Sequence, residues 1–391
     1  MNQQETFWNK NFLLALLGYF FLFMSVSVFF IFPLFLKRFS PSESRVGLIM
    51  GVFSLMAIFV RPFFGRLIDV RGRKQVSLLG IGLMFLVLPL FHFIRDAGIY
   101  PVVLRALQGL GWGISMTATI TICSDLAPVE KLAHSMGIVG VAGLVSSAFG
   151  PVIAEEIVDR FGFQALFLAS SVFLAVAFLC VLGTKEAVRP CLPEEKSRIH
   201  VFKSFSVFAL LLIGSLPVFH GAVRSSVVYF IALFGSSISI NRIGPFFATF
   251  SAAAILTRLW IGDISDRYGR KQVIFPSAII ISLNCVLISR VETSWMFILA
   301  GFIGGFGQGL IFPALSTYII DILGRKNKGF ALSLYLSLFD VGMGLGSPFF
   351  GWISDLFGLR RMYLFAGAFL LLFSILFTLK APSPERSQIP E

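Results

Sequence analysis

Five charged residues sit where charge is expensive. Arg61, Arg105, Arg224 and Arg258 fall within or at the ends of long apolar runs, and Asp340, in FDVGMGLG, is the one carboxylate deep inside such a run. A charge at that depth normally faces a cavity or a partner. A lone buried carboxylate can load and release a proton near neutral pH, so Asp340 is the candidate proton carrier, with Arg105 tuning it. The competing role for Asp340 is a constitutive ion pair with one of the buried arginines, and for Arg105 a packing role on backbone carbonyls. His220 and Arg224 are four residues apart and share one helix face. They can line a cavity and meet an anionic group, and His220 can also titrate; otherwise Arg224 snorkels outward. Arg61 and Arg258 each precede a loop glycine by four residues, which favours a shared structural role near one mouth of the cavity.

The elements that must carry these residues follow from composition. Of 391 residues, 57% are hydrophobic and 13% charged, and 46 are Phe. Ordinary soluble domains are about 45–50% apolar and about 25% charged, so a soluble enzyme, a disordered chain and a nucleic-acid-binding chain are excluded. Twelve runs are long enough to span a bilayer, which takes roughly 20 mostly apolar residues: 11–36, 46–64, 76–95, 98–124, 133–157, 164–183, 205–234, 243–261, 273–290, 294–320, 328–353 and 360–380. The first run is too long for a signal-peptide core and is expected to be retained. One polar stretch, TKEAVRPCLPEEKSRIHVFK, divides the chain into an N-terminal six-helix unit (1–183), a central linker (184–203) and a C-terminal unit (204–391). Lys and Arg number nineteen on the side of the termini and nine on the other, which places both termini inside the cell. Cys123, Cys180, Cys191 and Cys285 have no paired spacing, so neither a metal site nor a disulfide framework is expected.

The two halves repeat each other. RPFFGRLIDVRGRK at 61–74 aligns with RLWIGDISDRYGRK at 258–271 at a constant offset of 197, pairing Gly65, Asp69, Gly72, Arg73 and Lys74 with Gly262, Asp266, Gly269, Arg270 and Lys271. At an offset of 196, Gly109, Gly111, Gly113 and Asp125 match Gly305, Gly307, Gly309 and Asp321, and DRFG at 159–162 matches DLFG at 355–358. Duplicated six-helix units about an axis along the membrane normal are an architecture of alternating-access transporters.

GRLIDVRGRK resembles the loop signature of the major facilitator superfamily, G-x-L-x-D-x-x-G-R-[KR], and RALQGLGWG in the fourth span is similar to that family's R-x-x-x-G-x-G pattern. The second copy, GDISDRYGRK, departs at Ile264. Within the superfamily the pattern is most similar to bacterial drug/metabolite–proton antiporter-type efflux proteins. The resemblance covers essentially the whole chain and implies an all-α membrane protein of twelve transmembrane helices in two pseudo-symmetric six-helix bundles.

The resemblance also implies that Asp69, Arg73, Lys74 and Asp125, with Asp266, Arg270, Lys271 and Asp321 in the other half, form cytoplasmic clusters that latch one conformation and break in another. A static topogenic cluster is the competing account. Gly65 and Gly72 would permit a tight turn and close helix approach, and Arg73 would pair with Asp69 or Asp125. Arg105 is implied in proton coupling or support of the binding cavity. The fifth span, with Gly137, Gly140, Gly143 and Gly150 before Pro151, resembles an export-associated series expected to pack against the eighth span, although the usual small pair after the Pro is only partly present and generic small-residue packing fits as well. The first span lacks the carboxylate many cation exporters of the family carry. Spans with four arginines and one deep aspartate make a strongly cationic substrate the poorer fit.

The expectation is therefore a multi-pass inner-membrane secondary transporter that exports a small organic solute with proton coupling. It is expected to need no cofactor and no nucleic acid, to be a monomer in the lipid bilayer, and not to be an enzyme. The alternative is an importer or exchanger of organic anions held by Arg105 and Arg224; a non-transporting receptor or scaffold is disfavoured by the short loops.

Overall fold

A computed structural model describes residues 9–128, 131–185, 207–261, 264–324 and 328–382; among helical residues, the side chains of 61–70, 133, 207–210, 261, 266 and 328–329 lie outside that description. Twelve helical rods are present among the described residues. They are α1 (Lys10–Lys37, with a 3-10 turn at Val28–Ile31), α2 (Glu43–Arg71), α3 (Arg73–Phe93), α4 (Ile99–Leu126), α5 (132–161), α6 (163–183), α7 (Val207–Ser237), α8 (Gly244–Ile261), α9 (Arg270–Ser289), α10 (Ser294–Leu323), α11 (Lys328–Phe357) and α12 (Leu359–Lys380). A short helix, Ile264–Tyr268, follows α8. Among the described residues nine helical runs are long and apolar enough to cross a membrane, with α5 and α6 counting as one; α4 and α8, which carry Arg105 and Arg258, are not among those nine. The expected linker falls almost wholly outside the described residues.

Local chemistry sets the ends. Asn9 and Thr293 accept from Phe12 N–H and Met296 N–H, capping α1 and α10. Gly72 and Gly269, matched by the repeat, have φ of 92° and 100°, a region that residues with a side chain enter at a cost. They let α2 turn directly into α3, and the end of the α8 segment into α9. Gly162 (φ 79°) and Gly358 (φ 83°) do the same at the opposite end.

Packing repeats with the sequence. In one half α4 packs on α2 and α3, and α1 on the α5–α6 pair; in the other α10 packs on α8 and α9, and α7 on α11 and α12. The halves meet along two symmetry-related seams, α2 against α11 and α5 against α8. Because successive rods alternate in direction, the start of α1 and the end of α12 lie at the same end of the bundle, called the near end here; the other is the far end.

Candidate functional site: a cationic centre between two sealed and clustered ends

The glycine series of α4 and α10 brings the centre together. A β-carbon on Gly113 would lie 2.8 Å from the Ala57 α-carbon, and one on Gly309 would lie 2.9 Å from the Ala254 carbonyl oxygen, so these glycines admit α2 and α8. The intervening Gly111 and Gly307 face α3 and α9. Phe53 and Phe250, also at the 197 offset, sit under these contacts and are buried.

Each of these rings carries an arginine. The Arg105 guanidinium lies 4.5 Å from the Phe53 centroid and within 6.0 Å of Phe29 and Phe32; that of Arg224 lies 4.2 Å from Phe250. Arg105 is 1% exposed and donates to Gln108 Oε1 at 2.7 Å, yet its Nε and the Gln108 Nε2 have no partner. Arg224 Nη1 is likewise buried without one. Aromatic faces stabilise a cation but do not use its N–H groups, so both arginines keep donors to spare. His220, 1% exposed, shares a 2.9 Å hydrogen bond with Gln308, its Nδ1 unpartnered, and its ring lies tilted 5.1 Å from that of Phe339. Tyr229 of α7 meets Ser54 of α2 at 3.1 Å across the halves and lies within electrostatic reach of Arg105, Arg224 and Asp340. Three of the four residues expected at the centre, Arg105, Arg224 and Asp340, are thus gathered around a tyrosine that sequence reasoning missed, and His220 lies beside Arg224. Phe53 and Phe250 were missed too, although their shared offset was a usable signal.

At the near end each half carries one cluster. Arg73 pairs with Asp125, and Arg270 Nε with Asp321 at 2.9 Å, while Arg270 Nη1 donates to Ser265 at 2.7 Å. Lys74 donates to the Thr184 carbonyl at 2.9 Å and Lys271 to the Ala381 carbonyl, each beyond the last helix of its own half. These bonds join rods within one half, where a cation at a helix C-terminus is favourable. Gly65 lies within the α2 helix and Asp69 near its end, but their side chains, that of Asp266, and all of Gly262 lie outside the description.

At the far end carboxylates of each half bond the other. Asp355 of α11 accepts from Ser42 Oγ (2.8 Å), Glu43 N–H (2.6 Å) and Ser44 N–H (3.0 Å), so it caps α2 of the other half. Glu155 of α5 accepts from Ile243 N–H and, at 3.1 Å, from Gly244 N–H, capping α8. Arg242 joins Glu156 at 2.7 Å and Asp159 at 3.5 Å, and the Glu156 hydrogen bond raises the Arg242 pKa further.

The α5 glycines correct an expectation. Gly143 faces Tyr19 and Phe23 of α1, and Gly150 faces Ser27 of α1, not α8. Only Gly140 meets α8, through Arg258, and Gly137 meets nothing within 4 Å. The reason is angular: residues seven apart share a face, and the face of Gly143 and Gly150 is taken by α1. Pro151 follows Gly150 inside the helix. A cavity of about 240 Å³ lies between α8, α9 and α10, lined by Thr257, Arg258, Ser265 and apolar side chains.

A family model of the Major Facilitator Superfamily matches residues 15–241 and 218–391. The multidrug resistance protein MdtG of Citrobacter koseri is 26% identical over 378 residues, covering 91% of each chain, and the staphylopine export protein of Staphylococcus aureus is 24% identical, covering 88% of this chain and 89% of that one. Among solved structures, the nucleoside transporter NupG has a TM-score of 0.81 at 13% identity, covering 95% of this chain and 99% of that one. A bacterial homologue of the lysosomal transporter Spinster, solved inward-facing and unoccupied, has 0.80 at 15%, covering 96% and 97%. With both repeats matched and the twelve-rod fold shared, this chain belongs to the Major Facilitator Superfamily.

Proposed function

We propose that this protein is a proton-coupled exporter of a small organic solute that is not strongly cationic, working by alternating access in a bacterial inner membrane. The observation that carries the reading is the pair of buried arginines, Arg105 and Arg224, with unused N–H donors around Tyr229 where the halves meet. Donors without acceptors favour a carboxylate, phosphate or zwitterion, and a strongly cationic solute would be repelled. Export is supported by what MdtG and the staphylopine protein are named for; proton coupling is supported by Asp340 within reach of the same tyrosine. The near end is the cytoplasmic one on this reading, because basic residues crowd it. The intra-half clusters there keep each six-helix unit rigid while the units rock.

Everted membrane vesicles with an acidified lumen, so that protons leave as solute enters, should accumulate substrate. Asp340→Asn should abolish that accumulation while leaving substrate-induced thermal stabilisation of the purified protein in place. Gradient-driven uptake by Asp340→Asn would overturn the coupling role. Loss of substrate from everted vesicles under the same gradient would favour the second reading, an importer or exchanger of organic anions, which the same arginine pair supports.

A further inference from the structure

Arg258 was expected to be structural, yet the structure gives it the features of a binding group. Its guanidinium lies over Phe312 at 5.7 Å and lines the cavity between α8, α9 and α10. Its Nε is buried and unpartnered, and no carboxylate or carbonyl bonds it among the described residues. Phe312 also meets the Tyr335 ring edge-on at 5.1 Å, and the Tyr335 hydroxyl is fully buried with no partner. From the other half, α5 presents a bare face: a β-carbon on Gly140 would lie 3.3 Å from Arg258 Nη1, and one on Gly143 would lie 3.1 Å from the Tyr19 hydroxyl. Residues three apart share a helix face, so Arg258 and Tyr19 lie side by side over α5.

Three donors from α1, α8 and α11 therefore converge on the inter-half seam at the near end. Buried polar groups are normally satisfied, and unsatisfied ones invite an acceptor. A guanidinium flanked by hydroxyls accepts an oxyanion with charge-assisted hydrogen bonds. The cavity beside Arg258 is otherwise lined by Thr257, Ser265 and Gly309 and by the apolar Ile264, Val273, Leu310, Pro313 and Ala314, so the fitting ligand carries an oxyanion on a largely apolar or aromatic body.

We infer that Arg258, with Tyr335 and Tyr19, forms a second, near-end station that binds the oxyanion of an amphipathic organic acid, apart from the central Arg105 and Arg224 pair. Binding at the station stands alone; only its place on a transport path rests on the function proposed above. Because it draws donors from both halves, the station exists only while α5 and α8 are in contact, and it would load solute one step before the centre.

The test uses para-azidobenzoate as a photolabel on the purified full chain, with adducts mapped by mass spectrometry and para-azidobenzamide as the uncharged match. Wild type should be labelled by the acid in the near-end peptides that hold Arg258, Pro313 or Tyr335. Labelling there should fall about tenfold in Arg258→Gln and about fivefold in Tyr335→Phe, the loss of one charge-assisted and one neutral hydrogen-bonding partner. Arg105→Gln should leave it unchanged, and Arg258→Lys should restore part of it. Equal labelling by the amide, or wild-type labelling in a folded Arg258→Gln or Tyr335→Phe protein, would overturn the station. Tyr335→Phe keeps the test decisive if Arg258→Gln does not fold. Vesicle transport is not read here, so a failure of the station and a failure of the export reading are told apart.

Discussion

At the scale of single residues, the two central arginines differ in what holds them. Arg105 has three aromatic faces and Gln108, whereas Arg224 has Phe250. Each desolvated cation–π contact stabilises by roughly 0.5–2 kcal/mol. Arg105→Gln should therefore lower the thermal midpoint in detergent, by a loss of at least about 1 kcal/mol. Arg224→Gln, with one ring to lose, should lower the midpoint less than Arg105→Gln but reduce uptake of an anionic solute into everted vesicles about tenfold, the effect of one lost charge-assisted bond. Equal loss of stability in both would mean that Arg224 is a packing residue. The charges were legible in the sequence because an arginine or aspartate in an apolar run is rare and costly. Their partners were not: Phe53 and Phe250 are two among 46 phenylalanines, and only the fold says which of those rings a guanidinium covers.

At the scale of helices, hydropathy located all twelve rods because each must supply its own backbone hydrogen bonds in a bilayer. Which neighbour a small-residue face meets is a tertiary fact, and the α5 series shows it: it turned to α1 because α1 fills the angular sector of Gly143 and Gly150. The contrast between glycines gives a direct check. A β-carbon on Gly305 would lie 2.8 Å from the Phe250 α-carbon, so Gly305→Ala must push α10 off α8 and should destabilise by about 1–3 kcal/mol. Gly137 has open space around it, and Gly137→Ala should be neutral or stabilise by up to about 1 kcal/mol, since Ala is the better helix former. Thermal unfolding of the two purified variants side by side decides; similar midpoints would mean that α10 tolerates displacement.

At the scale of the whole molecule, the question is what holds the halves in this arrangement. Of the near-end clusters, the Arg73–Asp125 and Arg270–Asp321 pairs each lie within one half, while the side chains of Asp69 and Asp266 lie outside the described residues. Among the described residues, the ties between halves include two carboxylates at the far end, each capping a helix of the opposite unit: Asp355 on α2 and Glu155 on α8. The repeat could not reveal this, because the capping position has moved. The repeat partner of Asp355 is Asp159, which pairs with Arg242, and Glu155 does the capping one turn earlier. A carboxylate on helix N–H groups makes charge-assisted bonds worth about 1.5–3 kcal/mol, so losing one should shift the balance between closed and open far ends roughly tenfold. Pulsed electron spin resonance between a label in the α1–α2 loop and one in the α7–α8 loop reads that balance. Asp355→Asn and Glu155→Gln should each lengthen the distance distribution, and the double variant should do so further. Arg270→Gln should not lengthen it, because its bond to Asp321 joins rods that move together. An unchanged distribution in the double variant would place the tie elsewhere, in the close α2–α11 contact at Gly47 and Ser347.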